Sequence, residues 1–115
     1  MCKINVLGTE YTIKIASVDE KPILEDVGGY TDSTVKTIVV LDPKYYLDDK
    51  YHVEDLEESH RRILRHEIIH AFLIESGLDG NGTDCDHWEV NEEMIDWFAL
   101  QFPKILKAFE EAECI

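Results

Sequence analysis

The sequence predicts an α+β domain in which a small antiparallel sheet of three to four strands packs on a central helix, with a second helix and a C-terminal helix beside it. Three observations lead to this prediction. Polar and apolar residues alternate in the first third of the chain, the periodicity then becomes helical, and 115 residues with a 44% hydrophobic share suit one domain spanning 1–115. A chain of this size buries enough surface to fold without a metal, so a bound metal would serve function.

The first part of the chain predicts strands joined by turns. Residues 3–7 and 11–16 alternate in polarity around Gly8, which is typical of a β-hairpin. Residues 34–41 are rich in β-branched side chains and are followed by an Asp-Pro turn, which predicts a third strand. We expect residues 30–33 to pair with the start of this third strand.

The second part of the chain predicts helices. Residues 55–76 have a helical period that closes at Gly77, and their apolar side chains surround most of the helix axis, which predicts a central position. Acidic residues with the spacing of a capping box predict a second helix over 87–102. Pro103 is expected either to kink this helix or to open another, and residues 104–113 predict a terminal helix that closes the core.

Charge and hydropathy limit the partners of the protein. The chain has 11 Lys and Arg against 25 Asp and Glu, a formal net charge of −14, and this charge repels phosphate. We therefore expect no nucleic-acid partner and no binding to anionic membranes. The sequence also contains no apolar stretch of the roughly 18 residues that a membrane span requires. The expected partner is a peptide or protein substrate; the oligomeric state is left open.

The cysteines and the N-terminus indicate the compartment. The three cysteines, an odd number, lack CxxC spacing, which favours free thiols over a disulfide framework or a zinc ribbon; they are Cys2, Cys85 and Cys114. The first residues lack the apolar region of a secretory signal. We therefore expect a cytoplasmic protein.

A metal-binding pattern lies within the first predicted helix. His66, Glu67 and His70 form an HExxH motif. Residues four apart lie on one face of an α-helix, so both imidazoles can bind one Zn²⁺ while the glutamate points toward the remaining coordination position. The alternative is a charged stripe on a buried helix, but burying two imidazoles and a carboxylate without partners is costly. The motif therefore predicts a zinc site.

The second predicted helix offers the third ligand. Glu92 and Asp96 are four residues apart and therefore share a helix face that can meet the first helix. A His-His-Glu set is one that catalytic zinc sites use, and it leaves a position for water. Glu93 is the alternative ligand. Asp96 is expected to accept the spare ring N–H of a ligand histidine, with His66 as the expected donor.

The two motifs together resemble those of the gluzincin metallopeptidases. The segments HEIIH (66–70) and NEEMIDWFA (91–99) are similar to the gluzincin pattern, and by length the chain resembles the small ImmA/IrrE-type metallopeptidases of phages and mobile elements. The resemblance covers residues 63–102. It implies a zincin-like domain with these roles: zinc ligands His66, His70 and Glu92, general base Glu67, and supporting carboxylate Asp96.

The resemblance also implies how a peptide is held. Gluzincins bind extended peptides along an edge strand, and the strand over 34–41 is expected to run beside the cleft. Acidic residues around this cleft predict a preference for peptides that carry Lys or Arg. The implied activity is hydrolysis of peptide bonds by zinc-activated water.

Two questions stay open at the level of sequence. No residue stands out as the donor that stabilises the transition state, and the candidates are His87, His52, Tyr45, Tyr46 and Tyr30. The function also has an alternative, a zinc-binding regulatory or interaction module without useful turnover. Such a module would keep its partner after loss of the Glu67 carboxylate, whereas a peptidase would keep zinc and lose cleavage.

Overall fold

The computed structural model describes residues 2–44, 54–78 and 91–115, and it confirms the α+β class. The elements follow one another as β1 (Cys2–Val6), β2 (Thr9–Ala16), a 3-10 turn (Pro22–Glu25), β3 (Gly29–Asp32), β4 (Thr37–Leu41), α1 (Leu56–Glu75) and α2 (Glu92–Glu111). Within these described ranges, no helix is long and apolar enough to cross a membrane.

The four strands form a mixed sheet in the order β1-β2-β4-β3. The β1–β2 hairpin is confirmed, and β3 and β4 are also antiparallel. The prediction of a purely antiparallel sheet is wrong, because β2 and β4 are parallel neighbours. Residues 38–41 of β4 are buried on both faces of the sheet, which favours an interior position, whereas the short and polar β3 takes the edge.

The boundaries of the third predicted strand also differ from the structure. Residues 33–36 form the turn between β3 and β4, and Lys36 has a positive φ of 51°. The Asp32 carboxylate accepts a hydrogen bond from the backbone N–H of Thr34 at 3.0 Å, which stabilises this turn. The β-branched run over 34–41 therefore becomes a strand only from Thr37 onward.

Helix α1 lies between the sheet and α2. It covers the sheet face whose buried cluster comprises Val6, Tyr11, Ile13, Ile38 and Val40, with Ala71 contributed by the helix itself. The opposite face carries a second cluster that comprises Ala16, Leu24, Val39 and Leu41, with Val18 and Tyr30 packed against it. The predicted central position of the first helix agrees with this layer order.

The end of α1 is fixed to the sheet by polar contacts. Glu75 accepts hydrogen bonds from Lys36 Nζ and from the Tyr11 hydroxyl, both at 2.7 Å, and from Thr9 Oγ1 at 3.1 Å. The bonds from Lys36 and Tyr11 hold the pKa of the Glu75 carboxyl below its usual range. These contacts orient the whole helix, including its central turns, over the sheet.

Side-chain caps define where both helices begin. Asp55 accepts from the backbone N–H of Glu58 at 3.0 Å, so α1 starts where the sequence predicts. Asn91 accepts from the N–H of Met94, also at 3.0 Å, and has non-helical backbone angles. The predicted helix start near His87 lies outside the described residues, but the helix that carries Glu92 begins only after Asn91.

The prediction of a separate C-terminal helix is wrong, because α2 continues through Pro103 to Glu111. A proline inside a helix leaves the carbonyl four residues earlier without its N–H donor. Here that carbonyl belongs to Ala99, and Arg65 Nε of α1 donates to it at 2.6 Å. The terminal part of α2 also does not close the core, since Phe102 and Phe109 remain 46% and 43% exposed.

Candidate metal centre

Helix α1 brings the residues of the HExxH motif together on the side that faces β3 and α2. One ligand atom from each of His66, Glu67 and His70 lies within 4.8 Å of the others. Their side chains are only 14%, 9% and 11% exposed. The helix spacing alone produces this grouping, because the three side chains project from adjacent positions of one turn.

Glu92, the first residue of α2, reaches both histidines. Its Oε2 lies 2.9 Å from His66 Nε2 and its Oε1 lies 3.0 Å from His70 Nε2, while the two Nε2 atoms are 3.1 Å apart. In a tetrahedral zinc site with Zn–N bonds of about 2.0–2.1 Å, neighbouring ligand atoms are about 3.3 Å apart. The three groups thus have nearly the spacing that one zinc ion requires. Glu92 and Glu93 are both exposed, but within the described ranges it is Glu92, and not the alternative ligand Glu93, that contacts the histidines.

Asp96, one turn further along α2, determines which His66 nitrogen faces the cluster. Its Oδ1 accepts a hydrogen bond from His66 Nδ1 at 2.6 Å. In a neutral imidazole whose Nδ1 carries the proton, Nε2 presents a lone pair. That lone pair points at a carboxylate oxygen of Glu92, an arrangement that is repulsive unless a proton or a metal cation lies between the two atoms. The donor set therefore fits a divalent cation.

Glu67 is held by a residue that the sequence analysis did not identify. Thr31 Oγ1 of β3 lies 2.9 Å from Glu67 Oε1 and 2.9 Å from the backbone carbonyl of Glu67. Burial raises the pKa of the Glu67 carboxyl, while the hydrogen bond from Thr31 acts in the opposite direction. The other oxygen, Oε2, lies 3.9 Å from His66 Nε2 and so faces the histidine cluster.

A cavity of about 240 Å³ opens beside the cluster. Its lining comprises Val27, Gly28, Gly29, Arg62, Ile63, His66, Glu67, Glu92 and Asp96. The glycine pair allows β3 to approach α1 closely, because a Cβ at Gly28 would lie 2.8 Å from Ile63 Cδ1. The candidate site is therefore accessible from outside through a space bounded by β3, α1 and α2.

The edge strand beside the site is β3, and the prediction that the strand over 34–41 takes this role is wrong. β4 lies between β2 and β3, so both of its edges are paired. In β3, the pairing register and the bond from Leu41 N–H to the Gly28 carbonyl direct the backbone groups of Gly29 and Thr31 away from β4. These two residues direct N–H and C=O groups to the side of β3 that no described strand pairs with, which is called the open edge below.

The structure limits the candidates for a transition-state donor. Tyr30 belongs to the cluster on the sheet face opposite α1, so its side chain does not reach the site. Side chains alternate along a strand, which places Gly29 and Thr31 on the helix side and Tyr30 on the other. The remaining candidates, His52, His87, Tyr45 and Tyr46, lie outside the described residues.

No protein-family model matches the chain, and no curated protein or solved structure is significantly similar to it.

Replacing Asp96 by alanine is expected to lower zinc affinity by about 10- to 100-fold without unfolding the domain, because Asp96 orients His66 and is not itself a ligand. Competition with a zinc chelator measures this affinity, and circular dichroism checks the fold. Asp96→Asn is the matched control, since its amide oxygen can still accept the Nδ1 proton. An affinity of Asp96→Ala equal to that of the wild type would show that the hydrogen bond has no effect on the metal.

Proposed function

We propose that the protein is a zinc-dependent metallopeptidase of the gluzincin type. His66, His70 and Glu92 would hold the zinc ion, and Glu67 would act as the general base. One observation carries this proposal: two imidazole nitrogens and a carboxylate converge within 3.1 Å of one another, with a buried second glutamate alongside and an open cavity in front. Structural sites are usually closed by a fourth protein ligand, whereas a three-ligand set beside a cavity, as found among the residues that the structure describes, suits catalysis.

The chemistry divides between the metal and the side chains. Zinc, when bound, supplies a Lewis acid that lowers the pKa of water and polarises a peptide carbonyl. Glu67 accepts the proton that the attacking water loses and delivers it to the nitrogen of the leaving amine, so that one water is consumed for each peptide bond broken. A raised carboxyl pKa favours this role, because the proton is then accepted more readily.

Thr31 and Asp96 would position the reacting groups. Thr31 holds one oxygen of Glu67, which leaves the other oxygen directed toward the histidines. Asp96 holds the ring of His66 by its Nδ1 atom. Both residues act through their neighbours: Thr31 is not among the residues that line the cavity, and Asp96, which is, contacts His66.

The substrate in this proposal is a peptide or an unfolded protein segment. The open edge of β3 can pair with an extended chain, because the backbone groups of Gly29 and Thr31 point outward there. The net charge of −14 argues against a nucleic-acid substrate. Two free cysteines among the described residues, Cys2 and Cys114, agree with the cytoplasmic location that the proposal includes.

Protein purified without added zinc is expected to retain about one zinc ion per chain and to cleave an unfolded protein such as casein. Treatment with 1,10-phenanthroline should abolish cleavage, and added zinc should restore it. Elemental analysis measures the zinc content, and mass spectrometry of the fragments measures the cleavage. Protein without retained metal, or cleavage that is insensitive to the chelator, would contradict the proposed function.

Replacing Thr31 by valine is expected to slow cleavage by about 2- to 12-fold, which corresponds to the 0.5–1.5 kcal/mol net value of one hydrogen bond. Zinc affinity should not change, because Thr31 does not contact a ligand. Thr31→Ser keeps the hydroxyl and should restore the rate. Equal rates for the valine and serine variants would show that the hydroxyl does not position Glu67.

A further inference from the structure

Arg62 differs from the two arginines beside it on α1. Arg61 forms an ion pair with Glu57 at 2.7 Å, and Arg65 forms one with Glu58 at 3.0 Å. Arg62 lines the cavity of the candidate metal centre and has no ion-pair partner within the described ranges. Arg62 is exposed, so its cationic group is accessible to a molecule that enters the space next to the metal ligands.

The carboxylates in the same cavity are already engaged. Glu92 contacts both histidines, Asp96 binds His66 Nδ1 at 2.6 Å, and Glu67 binds Thr31 at 2.9 Å. With zinc bound, Glu92 would be one of its ligands. The guanidinium of Arg62 is therefore the charged group of this lining that remains for an incoming molecule.

We propose that Arg62 binds a carboxylate of the substrate and thereby selects peptides with a negative charge close to the scissile bond. This inference rests on the proposed function. A guanidinium matches a carboxylate with two parallel hydrogen bonds, which gives both affinity and orientation. The carboxylate belongs either to an Asp or Glu side chain or to the C-terminus of the peptide.

Helix geometry limits how far this charge lies from the reacting bond. Arg62 precedes His66 by four residues, which corresponds to about 6 Å along the helix axis. An extended peptide advances about 3.3 Å per residue, so the bound carboxylate lies within about three residues of the scissile bond. Ile63 and the glycine pair belong to the lining of the same cavity.

This local preference is opposite to the one that the overall charge predicts. The net charge of −14 attracts basic peptides, but salt screens that attraction beyond a Debye length of about 8 Å. A direct guanidinium–carboxylate contact is shorter and is screened much less. Acidic residues should therefore be favoured next to the scissile bond even if basic residues are favoured farther away.

Cleavage of a mixed peptide library, read by mass spectrometry, tests the inference with three proteins: wild type, Arg62→Gln, and the matched control Arg61→Gln. Wild type and Arg61→Gln should cut preferentially within about three residues of Asp, Glu or a free C-terminus. Arg62→Gln should lose this preference and cut those sites more slowly, while its zinc content stays that of the wild type. An unchanged profile in Arg62→Gln, or equal loss in Arg61→Gln, would overturn the assignment of Arg62.

A binding measurement separates specificity from turnover. Zinc-loaded Glu67→Gln protein is titrated with the best-cleaved peptide, its acid-to-amide side-chain analogue and its C-terminal amide. The analogue that removes the recognised carboxylate should bind more weakly by about 2- to 5-fold, the range of an exposed ion pair, and adding Arg62→Gln should abolish the difference. Equal binding of all three peptides would overturn the inference. Absence of zinc binding or of library cleavage by wild type would instead overturn the proposed function, and this inference with it.

Discussion

Replacing Glu67 by glutamine is expected to abolish peptide cleavage, with a rate at least about 100-fold and up to 10,000-fold below that of the wild type. Glutamine preserves the size of the side chain and can still accept the hydrogen bond from Thr31, but it cannot take a proton from water at neutral pH. Zinc content should not change, because Glu67 is not one of the three ligands in the proposed site. The cleavage rate is measured with casein and the zinc content by elemental analysis, both on the same preparation.

The control for this substitution is Glu57→Gln, which changes an exposed acid on the same helix and should leave both quantities unchanged. A Glu67→Gln protein that cleaves at the wild-type rate would contradict the role of Glu67 as general base. The result also separates the proposed peptidase from a zinc-binding interaction module, because a module should keep both its zinc and its binding partner after the same change.

Replacing Glu92 by alanine is expected to lower zinc affinity by more than about 100-fold, since loss of a direct ligand should exceed the 10- to 100-fold effect of losing an outer hydrogen bond. Glu92 is the only described residue outside α1 with an oxygen within 3.0 Å of both His66 and His70 nitrogens. Isothermal titration with zinc measures the change. Cleavage of casein should be lost together with the metal.

The neighbouring Glu93 provides a matched control, because it has the same chemistry on the same helix turn and is exposed like Glu92, but among the described residues only Glu92 contacts both histidines. Glu93→Ala should bind zinc as the wild type does. If Glu92→Ala binds zinc undiminished while Glu93→Ala does not, the third ligand is Glu93 and the proposed ligand set is wrong. Thermal unfolding of both variants without metal checks that α2 still packs on α1.

Features encoded by neighbouring residues could be predicted from the sequence. The β1–β2 hairpin depends on alternation around one turn, and α1 depends on a cap at Asp55 and a helical period up to Glu75. Features that depend on distant contacts were missed. The parallel pairing of β2 with β4 has no local signal, and the continuation of α2 through Pro103 accompanies a hydrogen bond from Arg65 on another helix.

In the site, too, features set by neighbouring residues could be predicted and features set by distant contacts could not. The grouping of His66, Glu67 and His70 follows from helix spacing, so it could be predicted directly, and Glu92 could be proposed because it shares a helix face with Asp96. Thr31 could not, because it lies 36 residues before Glu67 along the chain. Its position on the helix side of β3 becomes evident only when β3 is known to be a strand that starts at Gly29.

In the proposed peptidase, strand β3 would have two roles on two sides of its backbone. The Thr31 side chain contacts Glu67, while the backbone groups of the same residue point to the open sheet edge where a peptide would pair. If a peptide pairs poorly with β3, the strand is held less firmly. Glu67, which Thr31 of this strand contacts, is then held less firmly as well. Differences between substrates would then appear in kcat as well as in KM, so that a tightly bound but badly aligned peptide would behave as a competitive inhibitor.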